Sequence, residues 1–409
     1  MAKVIIANIG KIVSGNLKKG ILNGDTIMIE NGLIVGIGWQ RDFSTKGVEK
    51  VVDANGLVVT PGLIDSHTHP FLDDWSPITK TIGWMESALF GGTTTIISAT
   101  TFTSGLSLDP AFVKILAILA ERSYRNSRPG GHLKLHAGTI ILVKGLTESD
   151  FKEMADAGVH LVSEIGCAGI TDPEEISEML GWARKYDILV SAHYGGRTIT
   201  GSSSIPNEDM LKINPDVVAH VNGGSTARSL EETSRLVAET DCALEVIFNG
   251  NVKMMYEVVK MLKARGELHR LIIGSDMPVG TGLCPLVVHR MISQISSLNE
   301  IPAQDVIACA TGNTADLVKA NTGKIEVGRE ADLVIMDNTP GSVGSDALGA
   351  IEAGDTVGTN MVMVDGHIVA LRGRDTKPTT RNIKINGVEQ KMEEMSLDEW
   401  VLGARHPGY

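Results

Sequence analysis

Apolar runs of strand length alternate with amphipathic segments through the middle of the chain, from about residue 58 to residue 320. The segments between the runs carry helix-start signals, such as Asp172 before Pro173 and the pair Ser229 and Glu232. Eight strands, each followed by a helix over about 250 residues, predict a (β/α)8 barrel. The runs are LVVTPGLIDSHTHP (57–70), TTTIISAT (93–100), HLKLHAGTIIL (132–142), HLVSEIG (160–166), ILVSAHYG (188–195), VVAHVNGG (217–224), CALEVIFNG (242–250) and LIIGSDMP (271–278).

The two ends of the chain show a different pattern, in which apolar runs flank tight turns. DTIMIE (25–30) and LIVGIG (33–38) flank Asn31-Gly32, and MVMV (361–364) and HIVA (367–370) flank Asp365-Gly366. Both dipeptides suit a type I′ turn, so the ends are predicted to form β-hairpins. An open doubly wound sheet is the alternative for the middle of the chain, although no GxGxxG follows its first strand.

Composition and charge narrow the class of partner. The chain has 409 residues, of which 43% are apolar and 21% charged, as in globular proteins. A net charge of −12 argues against nucleic acids and anionic membrane surfaces, so a small molecule is the expected partner. Four widely spaced cysteines without a CxxC pair fit a reducing, cytoplasmic location. We expect no transmembrane helix and no signal peptide, because the first apolar run is broken early by Lys11.

Four histidines occupy positions where barrel enzymes place catalytic residues, at the carboxyl ends of predicted strands. His67 and His69 are two residues apart on the first strand, so their imidazoles face the same side and can hold one metal ion. His193 and His220 end the fifth and sixth strands, directly before loop residues rich in glycine. Each one alone is explained as well by a core histidine bonded to a backbone carbonyl.

Two carboxylates complete this set. Asp276 follows an apolar run that would bury an unpaired charge at a cost of several kcal/mol, so it binds a cation or pairs with Arg or Lys. We favour the cation. Glu164 is the corresponding residue of the fourth strand, and a salt bridge to a basic residue is its alternative.

These residues and four motifs resemble the amidohydrolase superfamily of metal-dependent hydrolases, and within it the enamidase-like cyclic amidohydrolases. The resemblance covers nearly the whole chain. It implies a small β-sandwich built from residues 1–57 and 321–373 around a barrel of residues 58–320, a tail of residues 374–409, and a homotetramer. The motifs are PGLIDSHTHP (61–70), ATGNTA (310–315), GKIEVGREADLVIMD (323–337) and VDGHIV (364–369).

The resemblance also implies two divalent metal ions. Zinc is favoured for this donor set, with iron(II) and manganese as alternatives. Many cyclic amidases of the superfamily bridge the ions with a carboxylated lysine, whereas the fourth strand here offers only a glutamate. By resemblance, His67, His69 and Asp276 would hold one ion, His193 and His220 would hold the other, and Glu164 would bridge them.

The expected function is therefore binuclear hydrolysis of a C–N bond in a small cyclic amide or enamide by a metal-bridging hydroxide. Asp276 would take the proton of that hydroxide and deliver it to the departing nitrogen. A deaminase or an imidazolonepropionase-like hydrolase on the same fold is the alternative. A non-enzymatic assembly protein is disfavoured, since that class would have lost ligands and all six are present.

Residues that contact the substrate are less well defined by the sequence. Arg197 could pair with a substrate carboxylate through its planar guanidinium, and Lys144 could act similarly. Asn222 could donate to a substrate carbonyl. The structural alternatives are solvated cations for the first two and turn chemistry for Asn222. Cys167 is expected only to fill space.

Overall fold

The computed structural model describes residues 3–70, 78–99, 108–127, 132–196, 202–224, 226–277, 286–372 and 376–391. Its strands are β1 (Lys3–Ala7), β2 (Lys11–Val13), β3 (Ile21–Leu22), β4 (Thr26–Glu30), β5 (Leu33–Gly38), β6 (Lys50–Asp53), β7 (Val58–Pro61), β8 (Leu63–Thr68), β9 (Thr93–Ser98), β10 (Lys134–His136), β11 (Thr139–Ile140), β12 (Leu161–Ile165), β13 (Leu189–His193), β14 (Val217–Ala219), β15 (Ala243–Ile247), β16 (Leu271–Gly274), β17 (Leu333–Asp337), β18 (Gly358–Val364), β19 (His367–Leu371), β20 (Lys384–Ile385) and β21 (Val388–Glu389). Its helices are α1 (Ile78–Phe90), α2 (Pro110–Ser127), α3 (Glu148–Ala157), α4 (Pro173–Lys185), α5 (Asn207–Ile213), α6 (Leu230–Glu239), α7 (Val252–Arg265), α8 (Val287–Asn299), α9 (Ala303–Cys309), α10 (Gly312–Leu317) and α11 (Ala347–Glu352), with 3-10 turns at Gln40–Asp42 and Leu268–Arg270.

The middle of the chain is a mixed α/β structure with parallel strands, as predicted. One parallel sheet has the order β10-β9-β8 and a second has the order β11-β12-β13-β14-β15-β16. Each of the eight predicted runs contains at least one strand. The strands follow their chain order without the reversal that a doubly wound sheet requires, so that alternative is not supported by the described strands.

The last parallel strand lies against the first. Thr68 forms a parallel bridge with Met277, and the amide of His69 donates to the carbonyl oxygen of Met277 at 2.7 Å. Gly274 allows this approach, because a Cβ at that position would lie 2.6 Å from the Cβ of His67. The ends of β8 and β16 are thereby brought side by side.

The helices start and pack as their sequences predict. Asp172 caps α4 by accepting the amide hydrogen of Glu174 at 2.8 Å, and Ser229 and Glu232 form the capping box of α6. On α4 the buried face follows the helical period i, i+3, i+4, i+7. Its members are Ile176, Met179, Leu180 and Ala183. In the described part of the chain, we find no helix long and apolar enough to cross a membrane.

The chain ends build two further six-stranded sheets, with the orders β21-β20-β6-β1-β4-β5 and β19-β18-β17-β7-β2-β3. Both predicted hairpins are confirmed, since β4 pairs with β5 and β18 pairs with β19 as antiparallel neighbours across turns with positive φ. Residues of the two sheets share one buried apolar cluster. Ile6 and Val52 come from the first sheet, and Val59 and Leu333 come from the second.

The sheets also extend past the predicted boundaries. β7 lies within the run assigned to the barrel, yet it pairs with β17 and β2. Within the predicted tail of residues 374–409, β20 pairs with β6 and β21 pairs with β20. The rest of the predicted tail, residues 392–409, lies outside the described residues.

Candidate active site

His67 on β8 and His69 just after it lie close to two carboxylates. His67 Nε2 lies 3.2 Å from His69 Nε2, 3.3 Å from Glu164 Oε2 and 3.5 Å from Asp276 Oδ1. Tetrahedral zinc with bonds of about 2.0–2.2 Å places its ligand atoms about 3.3–3.6 Å apart. The donor atoms therefore have nearly the mutual spacing that a metal ion demands, although His69 Nε2 and Asp276 Oδ1 are closer together, at 2.8 Å.

The histidines of strands β13 and β14 form a second group on the other side of Glu164. His220 Nε2 lies 2.6 Å from Glu164 Oε1, and His193 Nδ1 lies 3.8 Å from the same oxygen. The two imidazole rings are 4.6 Å apart between centroids. Glu164 thus turns one carboxylate oxygen towards each pair of histidines.

Backbone carbonyls determine which ring nitrogen of this second group is available. A carbonyl oxygen only accepts, so His220 Nδ1 donates to Tyr194 at 2.8 Å and His193 Nε2 donates to Gly196 at 3.3 Å. The opposite nitrogens, His220 Nε2 and His193 Nδ1, are the ones that face Glu164. Fixing one nitrogen in this way orients the other as a metal ligand.

The backbone turns sharply at two of these positions. His220 follows β14 with φ of +35°, and Asp276 follows β16 with φ of +60°. Non-glycine residues adopt this left-handed region only at a cost, and such residues concentrate at functional sites.

Two further carboxylates, Glu245 and Asp65, hydrogen-bond to residues of β8. Glu245, buried on β15, accepts hydrogen bonds from His67 Nδ1 and from Ser66 Oγ, each at 2.5 Å. Asp65 accepts from the amides of His67 at 3.2 Å and Ser275 at 2.8 Å, which ties β8 to the residue before Asp276. Burial raises the pKa of Asp65 to about 7, although these hydrogen bonds lower it.

The electrostatics of the pocket favour a cation. Burial alone would raise the pKa of Glu164, but the positive charge of neighbouring imidazoles holds it well below its usual range. The pKa of Asp276 is lowered despite its burial, chiefly by the hydrogen bond with His69. Burial disfavours charge on His67, yet Glu245 and Glu164 raise its pKa well above the ordinary value. The pocket thus stabilises positive charge between ionised carboxylates.

All six predicted ligands therefore lie in one cluster, in which Asp276 alone of the six is partly exposed, and their nitrogen and oxygen donors fit divalent zinc, iron or manganese. Sequence reasoning did not single out Glu245 or Ser66. A signal was present, because Glu245 is the only charged residue in the apolar run CALEVIFNG (242–250). It lies in the middle of that run, whereas catalytic residues of barrel enzymes are expected at strand ends.

The three expected substrate contacts have different outcomes. Arg197 lies outside the described residues. Lys144 is exposed in the turn after β11, where contact with a substrate stays a prediction. Asn222 is fully buried, and its side-chain amide bonds both backbone groups of Ile247 at 2.9 and 3.0 Å. This geometry gives Asn222 a role in holding β14 to β15 rather than in contacting a substrate.

Comparison with known proteins agrees with this geometry. The profile of the Amidohydrolase family matches residues 58–369. The chain belongs to the amidohydrolase family. It is 46% identical to the enamidase of Eubacterium barkeri over 386 residues, which cover 94% of this chain and 100% of that protein.

Other relatives of this amidohydrolase are similar in structure or in part of the sequence. A crystal structure of enamidase superposes with a TM-score of 0.89 at 45% identity, covering 94% of this chain and 100% of that one. A dihydroorotase of Lactococcus lactis subsp. lactis (strain IL1403) is 30% identical over 220 residues, or 54% of this chain and 47% of that protein. The family resemblance expected from the sequence is therefore confirmed, and the protein is a hydrolase.

Proposed function

We propose that this amidohydrolase uses two divalent metal ions to open a C–N bond of a small cyclic enamide. The observation that carries the proposal is the position of Glu164, whose two carboxylate oxygens face separate histidine pairs. Similarity to an enamidase over nearly the whole chain supports the substrate class. A one-metal deaminase or imidazolonepropionase-like hydrolase on the same fold has no need of this shared carboxylate.

We further infer that the parallel strands form one closed (β/α)8 barrel and that the terminal sheets form a β-sandwich. The barrel is supported by the consecutive strand order and by the bridge from Thr68 to Met277. The run from β10 to β11 continues the wall, because only two residues separate these strands. The sandwich is supported by the apolar cluster that the two terminal sheets share.

The ligand residues would divide as the family resemblance implies. His67, His69 and Asp276 would hold the first ion, His193 and His220 would hold the second, and Glu164 would be shared. When bound, the ions would polarise the amide carbonyl and lower the pKa of the attacking water from 15.7 to about 7.

Asp276 is the residue placed to move the proton. Its side chain is 17% exposed, whereas the four histidines and Glu164 are 1–5% exposed, so Asp276 is the member of the set that reaches the open side of the pocket. The hydrogen bond with His69 lowers the pKa of Asp276 despite burial, so its carboxylate is ionised, which is the form that can accept a proton from the attacking water. It would then deliver that proton to the departing nitrogen, which could not otherwise leave as a stable group.

Metal content and substrate preference test this function together. Purified protein should contain about two equivalents of transition metal, and chelation should abolish hydrolysis until metal is restored. His67→Ala and His193→Ala should each reduce the metal content, whereas His269→Ala, a change at an exposed histidine, should not. Less than about half an equivalent, or unchanged content in His193→Ala, would contradict the binuclear site.

The substrate class needs its own comparison. Six-membered cyclic enamides should be opened with higher kcat/KM than saturated lactams, hydantoins or dihydroorotate of similar size. A preference for dihydroorotate would contradict the enamide assignment while leaving the metal site intact. Including substrates with and without a ring carboxylate tests Arg197, since Arg197→Ala should raise KM only for the carboxylates.

A homotetramer and a cytoplasmic location stay predictions. Light scattering would test the first.

A further inference from the structure

Cys167 lies beside the second group of histidines. It follows β12 in the turn that begins at Glu164, and its amide donates to the carbonyl oxygen of Glu164 at 3.1 Å. The turn directs Cys167 Sγ to a position 3.5 Å from His193 Nδ1. Sγ, Nδ1 and a carboxylate oxygen of Glu164 all lie within 4.8 Å of one another. The expectation that this cysteine only fills space does not account for the convergence.

The separation between sulfur and nitrogen matches a shared metal ion. Zinc bonds of about 2.3 Å to sulfur and about 2.05 Å to nitrogen place these two atoms about 3.5 Å apart in a tetrahedral site. The nitrogen concerned is the one turned inwards, because the other ring nitrogen of His193 donates to Gly196. Sulfur, nitrogen and oxygen donors therefore lie close enough together to bind one ion.

We propose that Cys167 is a thiolate ligand of the second ion, an inference that rests on the proposed binuclear function. With His193, His220 and the near oxygen of Glu164, it would give this ion four protein ligands, and zinc can expand to five-coordinate when a water also binds. Binding of the ion releases the thiol proton to solvent and forms a metal–sulfur bond. The sulfur makes the two positions unequal, since the first has only nitrogen and oxygen donors.

A thiolate changes which metals the second position accepts. Soft and borderline ions such as zinc and iron(II) bind sulfur well, whereas manganese prefers oxygen ligands. The native second position should therefore discriminate against manganese more strongly than the first position does. Cys167→Ser, which replaces sulfur by oxygen at similar size, should reduce this discrimination about tenfold or more.

Cobalt substitution gives a readout that is independent of catalysis. With two equivalents of Co²⁺ bound, the native protein should show a sulfur-to-cobalt charge-transfer band in the near ultraviolet. Cys167→Ser should lose that band and keep the weaker visible bands of cobalt held by nitrogen and oxygen. Cys242→Ser is the matched control, because Cys242 is buried beside Thr240 at the start of β15, and it should keep the band.

X-ray absorption on the zinc form of the native protein provides a second measurement that requires no variant. One sulfur neighbour at about 2.3 Å, shared over two zinc ions, is the expected result. Two bound ions with no sulfur neighbour and no charge-transfer band would overturn the role of Cys167, while the binuclear function would stand. Failure to bind a second ion at all would instead overturn the binuclear function and this proposal with it.

Discussion

Glu245 Oε2 lies 2.5 Å from His67 Nδ1, and the other oxygen of the same carboxylate accepts from Ser66 at 2.5 Å. The contact spans two strands that are far apart in the sequence, β8 and β15. A carboxylate in this place fixes the His67 ring so that Nε2 faces the other candidate ligands. Its charge also makes Nε2 a stronger electron-pair donor to a metal ion. We therefore infer that Glu245 positions His67 for the first of the two proposed ions.

Glu245→Gln should weaken binding of the first ion by about 10–100-fold, because the amide can still hydrogen-bond but no longer carries the charge that strengthens His67. Competition with a metal chelator measures the two affinities separately. The sulfur-to-cobalt band proposed for the second ion should keep its position and intensity, which a general loss of structure would not allow. Glu239→Gln, on the partly exposed end of α6, is the control. Equal affinities in Glu245→Gln and the native protein would contradict the positioning role.

The same contact shows what the sequence could and could not predict. The convergence of the six candidate ligands was predictable because the carboxyl ends of parallel strands meet at one edge, whatever the register of each pair. Glu245 points into the interior from the middle of its strand, so its partner depends on how β15 and β16 are aligned with β8. That alignment arises from the pairing and packing of many strands and is not encoded in any local pattern.

Some features of the fold could also be predicted from the sequence, and others could not. The hairpins at Asn31-Gly32 and Asp365-Gly366 depend on local turn chemistry, so the sequence predicts them directly. The pairing of β20 with β6 joins residues more than 300 positions apart through a strand of two residues. A strand this short has no periodicity to detect, so residues 384–389 were predicted as part of a tail.

Lys134 connects the parallel strands to the terminal sheets and should be critical for stability. Its ammonium on β10 contacts three carboxylates at 2.5–2.7 Å, those of Glu330, Asp332 and Asp365. The Asp332 side chain is fully buried, so Lys134→Met would leave it without its cation. We expect a loss of about 3–5 kcal/mol in the free energy of unfolding, measured by urea denaturation.

An exposed lysine provides the control for this prediction. Lys152 pairs with Asp156 on α3, and both side chains are at least 60% exposed. Lys152→Met should change the free energy of unfolding by less than about 1 kcal/mol. Adding Asp332→Asn to Lys134→Met should recover part of the loss. If the double variant were less stable than Lys134→Met alone, the loss would not come from the uncompensated carboxylate.

His160 should make the protein less stable as the pH falls. Burial, together with the charge of nearby His136, lowers the pKa of His160 to about 3, and the two rings pack edge to face at 5.5 Å. An unfolded histidine has a pKa of about 6.5. Between about pH 6.5 and pH 3 the unfolded chain therefore binds a proton that the folded chain does not. Stability should fall by up to about 1.4 kcal/mol per pH unit from this residue.

His160→Gln removes the titrating group and should flatten that part of the stability profile. The measurement is urea denaturation of the metal-free protein at several pH values, so that loss of metal does not contribute. His269→Gln, at an exposed position, should leave the slope as it is in the native protein. An unaltered slope in His160→Gln would mean that its imidazole takes up its proton equally in both states.

Arg381 should hold the last described segment, residues 376–391, on the terminal sheet. Its guanidinium and backbone amide bond both oxygens of Asp337 at 2.6–3.3 Å, and it also donates to the carbonyl oxygen of Gly56 at 3.1 Å. The Asp337 side chain is fully buried, so Arg381→Ala leaves a buried carboxylate without its cation, at a cost of about 3 kcal/mol. Because β20 offers only two residues to β6, its pairing alone should not retain the segment.

Amide hydrogen exchange measures which strands open when Arg381 is replaced. In Arg381→Ala the amides of β20 and β21 should exchange much faster, while those of β17 and β18 should change less, since these strands pair with each other over their whole length. Lys391→Ala removes only an exposed ion pair with Glu389 and should leave the exchange of β20 unchanged. If the amides of β20 still exchanged slowly in Arg381→Ala, the prediction would be wrong. The β20–β6 pairing would then hold the segment without the ion pair.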